Sequence, residues 1–277
     1  MVRRVAHSAG VKCAMPFTIG TCVAQHIGDR GEQQDRAAIF PHRQNKGALL
    51  AVLADGMGGH SGGALAAEQV LFMAKQAFDA ISPSPENVRD ILTAGINNAH
   101  DSVKIARFTS EQDPHSTACM LVLQPGRADW AHCGDSRIYH YRGAERIARS
   151  SDHSYVMDLV RQGLITEADA EKHPKKNLLM SCLGDEALPR IDFGSTAPLM
   201  NGDCFILCSD GMWAYFSEPE IGRVLSQFPV RQAAEIFINT ARDRAQGGGD
   251  NCSIVIVRVT EIEKEKPKPL LKRGGAG

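Results

Sequence analysis

Apolar and polar residues follow two distinct rhythms along this chain, and segments of each rhythm occur in blocks. Short runs that are almost wholly apolar, such as 48–54 (ALLAVLA), are typical of buried strands. Longer stretches carry an apolar residue every three to four positions, which is the spacing of one helix face. The pattern predicts strands at 17–26, 36–40, 48–54, 116–123, 128–133, 137–142, 190–196, 203–208 and 253–260, and helices at 62–81, 85–108, 154–163, 167–173, 218–226 and 230–245.

The order of these elements predicts the fold class. Neighbouring strands occur in groups that are interrupted by pairs of helices, which favours antiparallel sheets with helices packed outside them over regular βαβ winding. We therefore expect an α+β sandwich. No low-complexity linker divides the chain, so 17–260 is predicted to be one domain. The aperiodic segments 1–16 and 261–277 are expected to be a flexible leader and a flexible tail.

Charge and composition exclude several classes of protein. The 277 residues include 31 Lys and Arg against 32 Asp and Glu, so no basic excess is available to neutralise nucleic-acid phosphates. No run approaches the roughly 18 apolar residues of a membrane-spanning helix. No apolar signal segment follows Arg3 and Arg4. We expect no nucleic-acid partner, no membrane span and a cytoplasmic location.

The eight cysteines support the same location. Most of them lie within apolar runs, and none belongs to a Cys-x-x-Cys pair. We interpret them as buried, reduced thiols that pack as small hydrophobic residues. Cys252 lies two residues after Asp250, but its position in a predicted strand favours a core role over that of a nucleophile.

Aspartates mark the ends of three predicted strands. Asp55 and Asp210 each end an apolar strand and precede a glycine, and Asp250 comes just before the last strand. If the last strand runs antiparallel to the other two, all three carboxylates lie at one rim of the sheets. Carboxylates crowded together repel one another unless cations neutralise them, and oxygen ligands favour Mg²⁺ or Mn²⁺ over zinc. No cluster of His or Cys in the sequence favours a zinc site.

Three further residues are candidates for this site, and each has a second interpretation. Gly56 lacks a side chain, so its carbonyl can turn toward a metal ion, although an Asp–Gly pair is also common in ordinary turns. Asp135 lies between two strands, where an aspartate can equally close a hairpin with an Asx-turn. Arg30 lies in a glycine-flanked loop just before Asp35, where it either grips a phosphate with two parallel hydrogen bonds or is simply solvated.

Six short segments follow one another along the chain in a fixed order: 30–35 (RGEQQD), 55–60 (DGMGGH), 116–118 (STA), 134–137 (GDSR), 209–213 (SDGMW) and 250–251 (DN). In sequence and in order, they resemble the motifs of the metal-dependent protein phosphatase family (PPM, or type 2C). Members of this family dephosphorylate phosphoserine and phosphothreonine. Three more segments resemble the bacterial subgroup: 152–154 (DHS), 163–166 (GLIT) and 173–177 (HPKKN).

The resemblance implies a four-layer α-β-β-α sandwich, with two central antiparallel sheets flanked by helix pairs. It implies a mobile flap beside the active site at about 152–185. It also implies that Asp55 bridges two Mg²⁺ or Mn²⁺ ions. The Gly56 carbonyl would bind one of these ions, and Asp210 and Asp250 would hold the other.

Other roles are implied by the same resemblance. Asp35 would act through a metal-bound water, and Asp135 with Asp210 would hold a third, weaker metal ion. Arg30 would bind the substrate phosphate. A hydroxide that bridges the two metal ions would attack phosphorus in line, with no covalent phosphoenzyme.

The chain departs from the family pattern at two places. Gln34 stands where the family usually has an acidic residue, and Gln33 where it often has Asn. The lost carboxylate is expected to weaken binding of the second metal ion. Met57 stands where eukaryotic members have a histidine proposed as general acid, and bacterial members commonly share this Met. His60 and His153 are the nearest candidates for an acid, with a structural role favoured for both.

The main functional hypothesis is a cytoplasmic, monomeric phosphatase that hydrolyses phosphoserine and phosphothreonine on proteins and opposes a bacterial Ser/Thr kinase. A non-catalytic metal- or phosphoprotein-binding module on the same fold is the first alternative, and Gln34 is its only support. A phosphatase restricted to one phosphoserine regulator of the partner-switching kind is the second alternative. The intact Asp55, Asp210 and Asp250 favour the main hypothesis.

Overall fold

The computed structural model describes residues 17–58, 62–109 and 112–261. Within them the chain forms strands and helices in the order expected of a sandwich. The strands are β1 (Phe17–His26), β2 (Arg36–Pro41), β3 (Leu49–Ala54), β4 (Gly56–Met57), β5 (His115–Ser116), β6 (Ala118–Gln124), β7 (Arg127–Cys133), β8 (Arg137–Arg142), β9 (Glu145–Arg149), β10 (Asp192–Thr196), β11 (Asp203–Cys208) and β12 (Cys252–Glu261). The helices are α1 (Gly62–Ala80), α2 (Val88–Thr109), α3 (Tyr155–Arg161), α4 (Glu167–Lys172), α5 (Asp210–Trp213), α6 (Glu218–Gln227) and α7 (Val230–Ala245).

Two five-stranded antiparallel sheets form the centre of the molecule. The strand order is β1-β12-β11-β8-β9 in the first sheet and β10-β7-β6-β3-β2 in the second. Helices α1 and α2 pack on the second sheet, and α6 and α7 pack on the first. The predicted α+β fold and its four-layer α-β-β-α arrangement are therefore confirmed.

The wholly apolar strands lie between two hydrophobic layers. In β3, Leu50 and Val52 pack toward α1 and α2, whereas Ala51 and Leu53 pack toward the opposite sheet. Successive side chains of a strand point to opposite faces, so a strand that is covered on both faces is apolar at every position. This geometry explains the continuous run that predicted a buried strand.

The structure contains elements that the apolar pattern did not predict. Strand β9 has the sequence ERIAR, and its first three residues are exposed because it lies at the edge of a sheet. Charged residues are common on edge strands, where they hinder pairing with other chains, and they hide the strand from a hydrophobicity pattern. The predicted strand at 116–123 divides into β5 and β6, because Thr117 turns to bond the backbone of Asp55.

The segment predicted to be a flap, 152–185, contains α3 and α4 and is anchored to the body near both ends. Ser154 forms a β-bridge with Leu179 inside the segment, and Leu183 forms one with Ser116 beside the second sheet. The predicted leader, and the tail from 262 onward, lie outside the described residues. Among the described helices, none is long and apolar enough to cross a membrane.

The cysteines that the structure describes are free thiols. Five of them are buried, and Cys22 and Cys182 are half-buried. Burial raises the pKa of every one of these thiols, which keeps them protonated and unreactive. This supports the interpretation of the cysteines as packing residues, while Cys13 lies outside the described residues.

Candidate active site

Antiparallel pairing brings two aspartates to one end of the second sheet. Asp35 comes directly before β2 and Asp55 directly after β3, and the register pairs Arg36 with Ala54. Because the strands run in opposite directions, the start of β2 and the end of β3 lie side by side. The two carboxylates therefore share one rim.

The same rule operates in the first sheet. Asp210 follows β11 and Asp250 precedes β12, and the register pairs Cys208 with Ile254. Asp135 lies where the chain leaves β7 in one sheet and enters β8 in the other. The last strand thus runs antiparallel to β11, which is the condition for a shared rim, and Asp135 is not in a simple hairpin.

A cavity of about 690 Å³ opens at this end of the sandwich. Six of the seven residues predicted for the site line its wall: Arg30, Asp55, Gly56, Asp135, Asp210 and Asp250. Asp35 is fully buried. Asn177 and Leu179 of the flap segment form part of the same wall.

The carboxylates of this cluster resist ionisation. Burial raises the pKa of Asp35 to about 7, although a hydrogen bond from the Ser209 hydroxyl favours the charged form of this carboxyl group. Burial followed by repulsion from Asp210 raises the pKa of Asp135 to about 7. Burial followed by repulsion from Asp250 raises the pKa of Asp210 to about 6.

Asp55 lies at the electrostatic centre of this group. Burial raises its pKa well above the ordinary value, and Asp35, Asp210, Asp135 and Asp250 each raise it further. Like charges that are this close cannot all ionise without a cation between them. The cluster is therefore an electrostatic cost to the folded protein unless a positive ion is bound.

The donor set fits a hard divalent cation. Asp35 receives a hydrogen bond from the Ser209 hydroxyl on Oδ2 at 2.7 Å, but its buried Oδ1 has no hydrogen-bond partner. A buried, unpartnered carboxylate oxygen needs either a proton or a cation. All side-chain donors of the cluster are oxygens, which is the chemistry of Mg²⁺ and Mn²⁺.

Gly56 is required by the close approach of two backbone segments. A Cβ atom at this position would lie 1.9 Å from the carbonyl oxygen of Gly63 at the start of α1. Glycine alone permits this contact, which holds the loop after Asp55 against the helix.

Arg30 lies at the exposed edge of the cavity. Its Nη2 donates to Oδ2 of Asp250 at 2.6 Å. The loop that carries Arg30 is held by Asn251, whose Nδ2 donates to the carbonyls of Ile27 and Glu32 at 2.8 and 3.0 Å. The guanidinium is thus placed beside the carboxylates, where it can bind an anion that enters the cavity.

A sequence comparison places this chain in a known family. The family model for protein phosphatase 2C matches residues 23–244, which includes most of both sheets. The chain belongs to the protein phosphatase 2C family. It is therefore an enzyme, a protein-serine/threonine phosphatase that hydrolyses phosphoric monoesters on phosphoproteins.

Individual relatives agree with this assignment. The chain is 31% identical over 239 residues to the protein phosphatase PhpP of Streptococcus pneumoniae, with 85% of this chain and 95% of that protein covered. The serine/threonine phosphatase of S. agalactiae has a similar structure, with a TM-score of 0.79, 28% identity, and coverage of 87% and 99%. The catalytic domain of the phosphatase PstP, solved with two manganese ions, matches with a TM-score of 0.69, 26% identity, and coverage of 88% and 100%.

The two glutamines that depart from the phosphatase pattern have defined places. Gln33 accepts a hydrogen bond from the backbone N–H of Asp35 on Oε1 at 3.0 Å. Gln34 lines the cavity, and its backbone N–H donates to Oδ1 of Asn251 at 2.7 Å. A neutral amide oxygen at position 34 can still act as a metal ligand, with one charge fewer than a carboxylate would bring.

His153 does not face the cavity of the phosphatase. Nδ1 of His153 accepts a hydrogen bond from the backbone N–H of Gly134 at 3.2 Å. The proton of the neutral imidazole is therefore on Nε2, which lies 3.3 Å from Oδ2 of Asp192. Burial followed by repulsion from His132 lowers the pKa of His153 to about 4. The structural role favoured for this histidine is consistent with the geometry, while His60 lies outside the described residues.

His132, His153 and Asp192 form a group that the sequence spacing did not indicate. Their potential ligand atoms lie within 4.8 Å of one another, which is compatible with a metal site. Nε2 of His132 is bonded to the carbonyl oxygen of Ser151 at 3.0 Å, so this nitrogen also carries a proton. Nε2 of His132 is therefore used as a donor to the backbone, whereas the buried Nε2 of His153 lies near Asp192 without a hydrogen-bond partner among the described residues. The group packs at the base of the flap segment.

Two residues that support the site were not assigned roles from the sequence. Thr117 accepts a hydrogen bond from the N–H of Asp55 at 3.0 Å and its hydroxyl lies 2.7 Å from that of Ser136, next to Asp135. Asn251 holds the loop of Arg30, as described above. Both lie inside the matching segments 116–118 and 250–251, but their contacts join distant parts of the chain and cannot be seen from spacing.

Proposed function

We propose that this phosphatase hydrolyses phosphoserine and phosphothreonine with two divalent cations, Mg²⁺ or Mn²⁺, held by the carboxylate rim. One observation carries the proposal. Four aspartates line one cavity that has an arginine at its edge, a fifth, Asp35, is buried beside them, and four of the five have raised pKa values. Cations stabilise the fully ionised form of this cluster at neutral pH, and together with the arginine they suit a doubly charged phosphate.

Each residue has a proposed role toward the cations. Asp55 would bridge the two ions, the carbonyl of Gly56 would bind one, and Asp210 and Asp250 would hold the other. Asp35 would act from the buried side through water, and Asp135 with Asp210 would hold a third, weaker ion. When bound, the two cations supply an activated water for in-line attack on phosphorus and neutralise charge on the phosphoryl oxygens.

The chain's own residues orient the substrate. Arg30 would leave Asp250 and donate two parallel hydrogen bonds to the phosphoryl oxygens. The flap residues Asn177 and Leu179 would contact the polypeptide around the phosphorylated residue, because they form the wall beside the carboxylates. Neither Met57, which has no proton to donate, nor the inward-facing His153 would protonate the leaving alkoxide.

The cellular setting follows from the substrate class. We propose that the domain at 17–260 acts as a monomer in the cytoplasm and opposes a bacterial Ser/Thr kinase. The charge balance and the packed thiols support this setting. The relatives support it as well, since PhpP is a bacterial protein phosphatase and PstP is a bacterial serine/threonine protein phosphatase.

Hydrolysis of a phosphothreonine peptide tests the proposal directly. We expect purified protein to release phosphate in Mn²⁺ and to lose this activity in EDTA, with recovery when excess Mn²⁺ is restored. A phosphotyrosine peptide is the matched control and should be a poor substrate. A folded sample that binds the phosphopeptide but releases no phosphate at millimolar Mn²⁺ would instead support the binding-module alternative.

Arg30→Ala is expected to lower kcat/KM for the phosphothreonine peptide by roughly 10- to 100-fold. A charge-assisted hydrogen bond contributes about 1.5–3 kcal/mol, and the variant loses the bidentate contact with the phosphate. Arg43→Ala is the control, because Arg43 is ion-paired with Asp79 away from the cavity. Equal kcat/KM values for the two variants would show that Arg30 does not bind the phosphate.

A further inference from the structure

An indole N–H connects two of the carboxylate-bearing segments. Trp213 is the last residue of α5, the short helix that begins at Asp210. Its Nε1 donates a hydrogen bond to the backbone carbonyl of Asp135 at 3.1 Å. One side chain therefore joins the helix of Asp210 to the loop of Asp135.

The indole ring is itself held in place. The guanidinium of Arg137 stacks on it at 3.6 Å from the ring centroid. That guanidinium is fixed in turn by two hydrogen bonds to Asp152, at 2.9 and 2.8 Å, and by one to the hydroxyl of Tyr139 at 3.2 Å. A guanidinium that is hydrogen-bonded along its edge and stacked on its face has little freedom to move, so it holds the indole ring in one orientation.

The loop of Asp135 is also held from its other side. Gly134 donates its N–H to Nδ1 of His153 at 3.2 Å, and the N–H of His153 donates to the carbonyl of Gly134 at 2.9 Å. The loop thus lies between the base of the flap segment and α5. The hydrogen bond from Trp213 ties this loop to α5 and therefore sets the position of Asp135 relative to Asp210.

We propose that Trp213 is a positioning residue, which fixes the separation of the Asp135 and Asp210 carboxylates so that the pair binds one divalent cation. The proposal rests on the proposed function, because it concerns the third, weaker ion. The backbone of Asp135 has no regular ladder where the chain crosses between the sheets, so it depends on side-chain contacts for its position. Groups that orient metal ligands typically change metal affinity by 10- to 100-fold when they are removed.

Trp213→Phe tests the proposal, because it deletes the N–H and keeps a ring for Arg137 to stack on. Mn²⁺ is titrated into metal-free protein by calorimetry. We expect the weakest site to lose affinity by roughly 10-fold, while the two tighter sites and the melting temperature of the metal-free protein stay close to wild type. Half-maximal activity should need more Mn²⁺, with kcat restored at saturation.

Trp130→Phe is the matched control, since it makes the same change in the core between the two sheets, beside Phe205. It is expected to lower the melting temperature and to leave all Mn²⁺ affinities unchanged. A Trp213→Phe variant that binds Mn²⁺ like wild type would overturn the proposal, as would a wild-type protein with no third site. Failure of wild type to hydrolyse the phosphopeptide would overturn the proposed function instead, and the titration would still decide the role of Trp213.

Discussion

Asp210→Ala is expected to lower turnover of a phosphothreonine peptide by at least about 10³-fold while the protein stays folded. Asp210 is proposed to contribute both to the central cation pair and to the weaker site, so its loss removes a shared ligand. Burial and repulsion from Asp250 raise its pKa to about 6, which shows that its charge is unfavourable in the metal-free fold. The melting temperature in EDTA should therefore not fall, and initial rates in Mn²⁺ measure the loss.

Asp243→Ala provides the control, because Asp243 is exposed on α7 away from the cavity. Its turnover should equal that of wild type. Asp210→Asn, which keeps the size of the side chain and removes its charge, should be nearly as inactive as Asp210→Ala. Turnover within a few-fold of wild type in either variant of Asp210 would contradict the assignment of this residue as a metal ligand.

The sequence predicts most of this fold because burial on both faces leaves a strong signal. Every residue of β3 is apolar, and so is every residue of β11 except Asp203, because both strands are buried along their whole length. These apolar runs make the strands visible in the sequence. Strand β9 gives no such signal, since an exposed edge strand needs charge rather than apolar residues. Two-residue strands such as β4 and β5 are too short for any periodicity, and they form because the loops around Asp55 pair locally.

The sequence predicts those residues of the site that lie at the ends of buried strands. Asp55, Asp210 and Asp250 are visible because each adjoins a buried run, and antiparallel pairing then brings them together. The contacts of Thr117, Asn251 and Trp213 could not be predicted. Each bonds a residue 62 or more positions away, and a side chain's distant partner is fixed only by the packed fold.

Removal of metal is expected to make the stability of this protein depend on pH through the carboxylate cluster. Asp35 is fully buried and its pKa is raised from 3.8 to about 7. Between pH 3.8 and about 7, the Asp35 carboxyl group keeps its proton in the folded protein, whereas it has already lost the proton in the unfolded chain. A raised pKa contributes stability that is fully present below pH 3.8 and is lost as the pH rises through about 7.

Asp35→Asn isolates this effect, because the amide is neutral at every pH. Measured in EDTA, the variant should match wild type near pH 4 and should exceed it in free energy of unfolding by pH 7.5, by roughly 4 kcal/mol at most. The histidines whose pKa values are lowered by burial contribute equally to both proteins and cancel in the difference. In saturating Mn²⁺ at pH 7.5, wild type should instead have the higher free energy of unfolding, since the cations then neutralise the charge of the Asp35 carboxylate.

Asp203→Asn is a control of opposite sign. Burial alone would raise the pKa of Asp203, but hydrogen bonds from Arg142, the N–H of Met200 and His140 outweigh it and lower the pKa. Its stabilisation is present above pH 3.8 and is lost in acid, so this variant should be less stable than wild type at pH 7.5, and the deficit should shrink below pH 4. If Asp35→Asn shifted stability equally at both pH values, the buried charge of Asp35 would not be a cost that cations relieve, and the electrostatic case for the metal site would fail.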